Sequence, residues 1–187
     1  LGTIEGDWLV LGDRSGSMKA SIEMSRRIAG FIAERVKGKV YLVFFNVAPT
    51  FFDVSGKTYD QIVQETRRIE ANGGPSIGCG LDYLRSKGIP VQGIAIVSDG
   101  AENTAPYFLD VLKKYCEALL VEPTLYLFRL PGDDPVGDVL TKNCLAVRVA
   151  LETFDSSQLA YYALPNVIAT LRTGRYALAD EIMAVKE

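Results

Sequence analysis

The chain has 187 residues, 48% of them hydrophobic and 23% charged, which suits one globular domain with a sheet covered on both faces and argues against disorder. A formal net charge of −3, a pI near 5.1 and the lack of any Lys/Arg run argue against direct nucleic-acid binding by this domain. No apolar run approaches the roughly 20 residues that cross a bilayer, and the N-terminus lacks a basic region leading into a signal core, so no membrane partner and a cytoplasmic location are expected.

Trp8-Leu9-Val10-Leu11 is a short continuous apolar run that reads as a buried strand, ending in the turn Gly12-Asp13-Arg14-Ser15-Gly16-Ser17. Met24, Ile28, Phe31 and Ile32 then recur at helical spacing until Gly38. Val40 to Phe45 is β-branched and aromatic, and Asn46 to Pro49 turns the chain into a second extended run, Thr50 to Val54, which predicts a hairpin. Phe51 and Phe52 are adjacent there, so alternation sends one of them away from the core; covered packing by a helix or tail is expected, with an exposed contact patch as the alternative.

Tyr59, Ile62, Val63, Thr66 and Ile69 mark a second helix, closed by Asn72-Gly73-Gly74-Pro75, and a third runs from about Ile77 to Ser86. Gly93 to Ser98 is the most strand-like stretch and stops at Asp99-Gly100. Phe108, Val111, Leu112, Tyr115, Cys116 and Leu119 trace one helical face. Thr124 to Leu130 predicts a strand ended by Pro131-Gly132-Asp133-Asp134-Pro135, in which the two aspartates read as turn residues, with added negative field at the rim of the sheet as the alternative. Val147 to Leu151 is expected as the last strand, followed by a helix with Pro165 at its first position and Gly174 at its end. Strands alternating with helices predict an α/β fold, a doubly wound and mostly parallel sheet with one antiparallel edge strand and helices on both faces. Residues 1–175 are expected to form the domain and 176–187 a C-terminal extension, a docked helix or a linker.

The absence of histidine removes Ser-His-Asp and Cys-His catalysis and histidine-ligated zinc. Cys79, Cys116 and Cys144 are an odd number at wide spacings, neither a disulfide framework nor a zinc pattern, and read as reduced thiols, Cys79 as core packing.

In an open parallel sheet, ligands bind beyond the carboxyl ends of the strands where the strand order reverses. Following chain direction brings Asp13, Asp99 and the segment Asn72 to Ser76 to that rim, the last because the hairpin returns the chain and the next helix must climb. Asp13-x-Ser15-x-Ser17 places one carboxylate and two hydroxyls on alternate residues of a turn, and an oxygen-only set of modest charge suits Mg²⁺ or Mn²⁺. The plainer alternative is a strand end at Asp13 with Ser15 or Ser17 capping the next helix.

Asp13-Arg14-Ser15-Gly16-Ser17-Met18, the loop Gly73-Gly74-Pro75-Ser76-Ile77-Gly78 and Val97-Ser98-Asp99-Gly100 together resemble the von Willebrand factor A family, in matching order and strand context over nearly the whole chain. The resemblance implies a metal ion-dependent adhesion site in which Asp13, Ser15 and Ser17 ligate the cation and Asp99 does so directly or through water. It also implies a non-enzymatic module whose protein partner completes the coordination with an acidic side chain. The family's threonine position falls on Pro75, which has no side-chain oxygen, and Ser76 is the nearest substitute. The Asp-Arg-Ser-Gly-Ser-Met form resembles intracellular bacterial members, among whose relatives are Ro-type ribonucleoproteins that attach the domain to an RNA-binding repeat region. Two other readings stay open: a scaffold that binds partners without metal, and a haloacid dehalogenase-like phosphohydrolase with Asp13 as nucleophile. The second normally needs an aspartate where Ser15 stands.

Overall fold

The structure, a computed structural model, describes residues 3–155 and 164–173. Six strands form one sheet in the order β3-β2-β1-β4-β5-β6: β1 (Trp8–Asp13), β2 (Val40–Phe45), β3 (Pro49–Asp53), β4 (Gly93–Ser98), β5 (Thr124–Arg129) and β6 (Glu152–Asp155). All neighbours are parallel except β2 and β3, the expected hairpin. The helices are α1 (Lys19–Arg35), α2 (Tyr59–Glu65), α3 (Ile77–Lys87), α4 (Phe108–Leu119), α5 (Val139–Ala146) and α6 (Leu164–Ile168).

The central strands are apolar up to their last residues, Asp13 in β1 and Ser98 in β4, because both faces are covered, and alternation divides each between two cores. Trp8 and Val10 of β1, Leu42 and Phe44 of β2, and Ala95 and Val97 of β4 pack beneath α1, α2 and α6. Leu9 and Leu11, Val43 and Phe45, and Ile94 and Ile96 pack beneath α3, α4 and α5. Phe52 meets Phe44 on the first face, while Phe51 meets Tyr41 and Tyr83 on the second, so each edge-strand aromatic packs against a core and is half-buried. Cys79 and Cys144 are buried and Cys116 half-buried, all as free thiols.

The structure departs from the sequence reading at three places. Val147 to Leu151 is not a strand. It follows α5, a helix the periodicity did not reveal, and the last strand lies later, at Glu152–Asp155. Only Leu140 and Cys144 of α5 are buried, one turn apart, while Leu145 and Val147 are exposed, so apolar residues on both sides hide its stripe. The second helix stops at Glu65 rather than near Ile69, because Arg26 donates from its guanidinium to both the Oγ1 and the carbonyl oxygen of Thr66 and closes the C-terminus there. Finally, α6 spans only Leu164–Ile168, with Pro165 in its first turn, and ends before Leu171 rather than running on toward Gly174. Gly174 and the extension 176–187 lie outside the described residues.

Candidate metal centre at the sheet rim

Strand order reverses between β1 and β4, the central parallel pair, and both end at the same rim. Register sets what meets there. Gly12 pairs with Val97, so the next residues, Asp13 and Ser98, are neighbours, and both continue the face that carries Leu9, Leu11, Ile94 and Ile96. Ser98 Oγ donates to Asp13 Oδ2 at 2.7 Å. The first-strand turn supplies the other two donors: Ser15 N–H at 2.8 Å and Ser15 Oγ at 2.6 Å, both to Asp13 Oδ1. Asp13 is fully buried and Ser15 nearly so, whereas Ser17 is exposed. Burial pushes the Asp13 carboxyl above the usual carboxylate range, against the three hydrogen bonds that favour its charge, and Asp99 adds a smaller push upward.

Asp99 follows the strand by one residue and is half-buried. Its Oδ1 accepts from Ala101 N–H at 2.9 Å. A Cβ at Gly132 would overlap its carboxylate, and one at Gly100, where φ is +82°, would overlap that of Asp138. These glycines let the loops close around the acids. Burial raises the Asp99 pKa, and Asp134 and Asp138 raise it further. Asp138 is itself held by Arg129, whose guanidinium also binds Asp155, joining the ends of β5 and β6 to the start of α5. Asp134 lines the hollow beside Asp99, in the turn expected for it.

The glycine loop does reach this rim. Gly16 N–H donates to Gly73 O at 2.9 Å, and Asn72 N–H donates to Arg14 O at 2.8 Å. Buried Asn46, just past β2, steadies the loop by donating to the Asn72 carbonyl and side-chain oxygens and accepting from Ser76 N–H through its carbonyl. Ser76 is the N-cap of α3: its hydroxyl accepts from Cys79 N–H at 3.3 Å and donates to Pro106 O at 2.8 Å. Its oxygen is thus already engaged, and ligation would require giving up at least the bond to Pro106. Pro75 contributes through its carbonyl, which accepts from Asn103 and Thr104 N–H, both at 3.3 Å.

Glu102 completes this latch. Its carboxylate accepts from Gly78 N–H at 2.9 Å and from Phe108 N–H at 2.9 and 3.0 Å, so one acid caps the first turns of α3 and α4 together. Burial nevertheless pushes its carboxyl up to about 7, against these N–H donors. The approach of α3 to the 101–107 loop depends on Gly78, where a Cβ would overlap the Pro106 carbonyl oxygen and lie 2.7 Å from the Tyr107 carbonyl carbon. Gly78→Ala should therefore cost about 2–3 kcal/mol or more, since backbone has to move. A denaturation midpoint equal to the parent's would contradict this close approach.

The sequence, read with its family resemblance, singled out Asp13, Ser15, Ser17, Ser76 and Asp99 as ligands but not Ser98 or Glu102. Period-two continuation from Ile94 and Ile96 marks Ser98 as facing Asp13 once the register is known. Nothing local marks Glu102, whose partners come from two distant helix starts. No ion pair among the described residues involves Asp13 or Asp99. Nor do the described residues gather three or more His, Cys, Asp or Glu side chains in one cluster suited to a metal. The donor set at the rim is instead a buried carboxylate oriented by hydroxyls, with a second carboxylate near enough to be felt. Such oxygens fit a hard cation that retains some of its waters.

No family model and no curated protein matches this sequence. Solved structures match its fold. An aerotolerance-related membrane protein from Bacteroides fragilis, carrying multiple mutations to serines, is 15% identical with a TM-score of 0.57 over 90% of this chain and 100% of that one. A von Willebrand factor type A protein from Catenulispora acidiphila is 14% identical with a TM-score of 0.56, over 90% of this chain and 42% of that one. The RO (RSR) protein of Deinococcus radiodurans is 12% identical with a TM-score of 0.50, over 82% and 31% respectively. The chain has the von Willebrand factor A fold, a Rossmann-like α/β sheet.

Proposed function

We propose that this chain is a non-enzymatic protein-binding module that holds Mg²⁺ or Mn²⁺ at the rim through Asp13, Ser15, Ser17 and Asp99, with Ser76 as the nearest glycine-loop hydroxyl. The observation that carries this reading is Asp13 itself: a fully buried carboxylate, oriented by three donors and raised by burial, with no ion pair to it among the described residues. A buried charge is tolerated when it is paired or binds a metal. Ser15 and Ser98 fix the direction of the Asp13 oxygens, Ser17 stands exposed at the outer edge of the turn, and the latched glycine loop walls the other side. A hard divalent ion would supply an electrophilic position open to a carboxylate from a protein partner. Among the described residues no helix is long and apolar enough to cross a membrane. The cytoplasmic location is part of the proposal.

Calorimetric titration of Mg²⁺ and Mn²⁺ into chelator-treated protein tests the reading, with Asp13→Ala as control. Binding should be weaker than low micromolar, because Pro75 brings no hydroxyl and that of Ser76 is engaged. Pro75→Thr should tighten it about tenfold. Equal heats from the parent and Asp13→Ala would instead support the second reading, a metal-independent scaffold, which the same engagement of Ser76 favours.

A further inference from the structure

We infer that the groove between the start of α4 and the outer side of α5 docks a protein segment that presents an aliphatic or aromatic side chain beside a lysine or arginine. The groove encloses about 320 Å³, at the small end for a ligand pocket and suited to one side chain and a neighbouring cation. Its apolar part is Tyr107, Leu109, Leu140 and Val147, of which Tyr107 is 45% and Val147 60% exposed. These are two of the six large hydrophobics that stand exposed among the described residues, and here they border one hollow. Its polar part is acidic: Glu102 and Asp110 line it with Asn143, and among the described residues no lysine or arginine does. An apolar hollow bordered by the exposed Asp110 carboxylate, with the N–H-bound acid Glu102 behind it, selects a cationic, apolar segment and repels an acidic one.

The groove also has a rigid frame. Glu102 is held by the N–H groups of Gly78 and Phe108, and Leu140 N–H donates to Gly100 O at 3.0 Å, tying α5 to the rim loop. Glu102 lies three residues past Asp99, so the groove adjoins the proposed cation site without using it.

The test uses acetylated and amidated tetrapeptides added to the isotope-labelled chain in the presence of a chelator, followed by nuclear magnetic resonance. The sequences are Ala-Leu-Arg-Ala, Ala-Leu-Glu-Ala and Ala-Ser-Arg-Ala. The Leu-Arg peptide should shift the signals of Tyr107, Asn143 and Val147 and bind at least about threefold more tightly than either other peptide, as a partly exposed ion pair allows. Asp110→Asn, at an exposed position, should weaken the two Arg peptides by about that factor and leave the Leu-Glu peptide no weaker. Equal binding of all three peptides, or shifts that spare these residues, would overturn the inference. Because no divalent ion is present, that failure leaves the cation reading intact, and a failed metal titration leaves this one intact.

Discussion

Mg²⁺ is expected to raise the unfolding temperature of the chelator-treated chain, and Asp13→Asn is expected to abolish the effect. A ligand that binds only the folded form stabilises it by RT ln(1 + [L]/Kd), about 2.7 kcal/mol at a hundredfold excess over Kd. For a domain of this size that corresponds to a shift of about 5–10 °C. The two Asp13 variants separate the charge from the hydrogen bonds. In chelator, Asp13→Asn should unfold no earlier than the parent, because it removes a charge that burial already penalises while keeping an acceptor for Ser15 or Ser98. Asp13→Ala should unfold earlier, by about 1–3 kcal/mol in stability, because three donors lose their acceptor in a buried site. Thermal melts in chelator and in excess Mg²⁺ read all of this. An equal Mg²⁺ shift in the parent and Asp13→Asn would end the case for a cation at this carboxylate.

What made the rim legible beforehand was periodicity. The apolar runs Trp8–Leu11 and Gly93–Ser98 end in loops carrying Gly, Ser and Asp, and a parallel sheet sends such ends to one side. The hairpin made the third loop's position deducible too, and Gly73 does bond Gly16 there. The C-terminal third was less legible for a physical reason. α5 has eight residues with two buried, and β6 has four residues, none fully buried, so neither carries enough pattern to outweigh an apolar run such as Val147–Leu151. Inside the rim, the reading found the carboxylates but not the pairing. It set Asp13 against Asp99, whereas register sets Asp13 against Ser98 and leaves Asp99 among Gly132, Asp134 and Asp138. Residue types name candidates; the half-step of a strand decides which of them face each other.

That second acidic group, with Glu102 behind it, leads to an unusual pH dependence: without divalent ions the chain should be more stable near pH 5 than near pH 8. Burial raises the carboxyls of Asp13, Asp99 and Glu102, the last from 4.5 to about 7. Between those two values the folded form keeps a proton that the unfolded chain has released, so stability falls as pH rises through the window and reaches its lower plateau above the folded pKa. For Glu102 this is worth up to about 3 kcal/mol, and Asp13 and Asp99 act in the same direction. The lowered carboxyl of Asp53, stabilised by Ser55 and nearby lysines, acts oppositely at lower pH and does not cancel the trend. Urea midpoints at pH 5 and pH 8 in chelator should show the difference, and Glu102→Gln, which cannot ionise, should remove the largest share of it. Mg²⁺ should close the gap from the other end, stabilising the chain at pH 8 far more than at pH 5, because it binds the ionised carboxylates. Equal midpoints at the two pH values in the parent would mean that these acids are better solvated than their burial implies. A Gln variant retaining the full difference would shift its origin from the latch at Glu102 to Asp13 and Asp99.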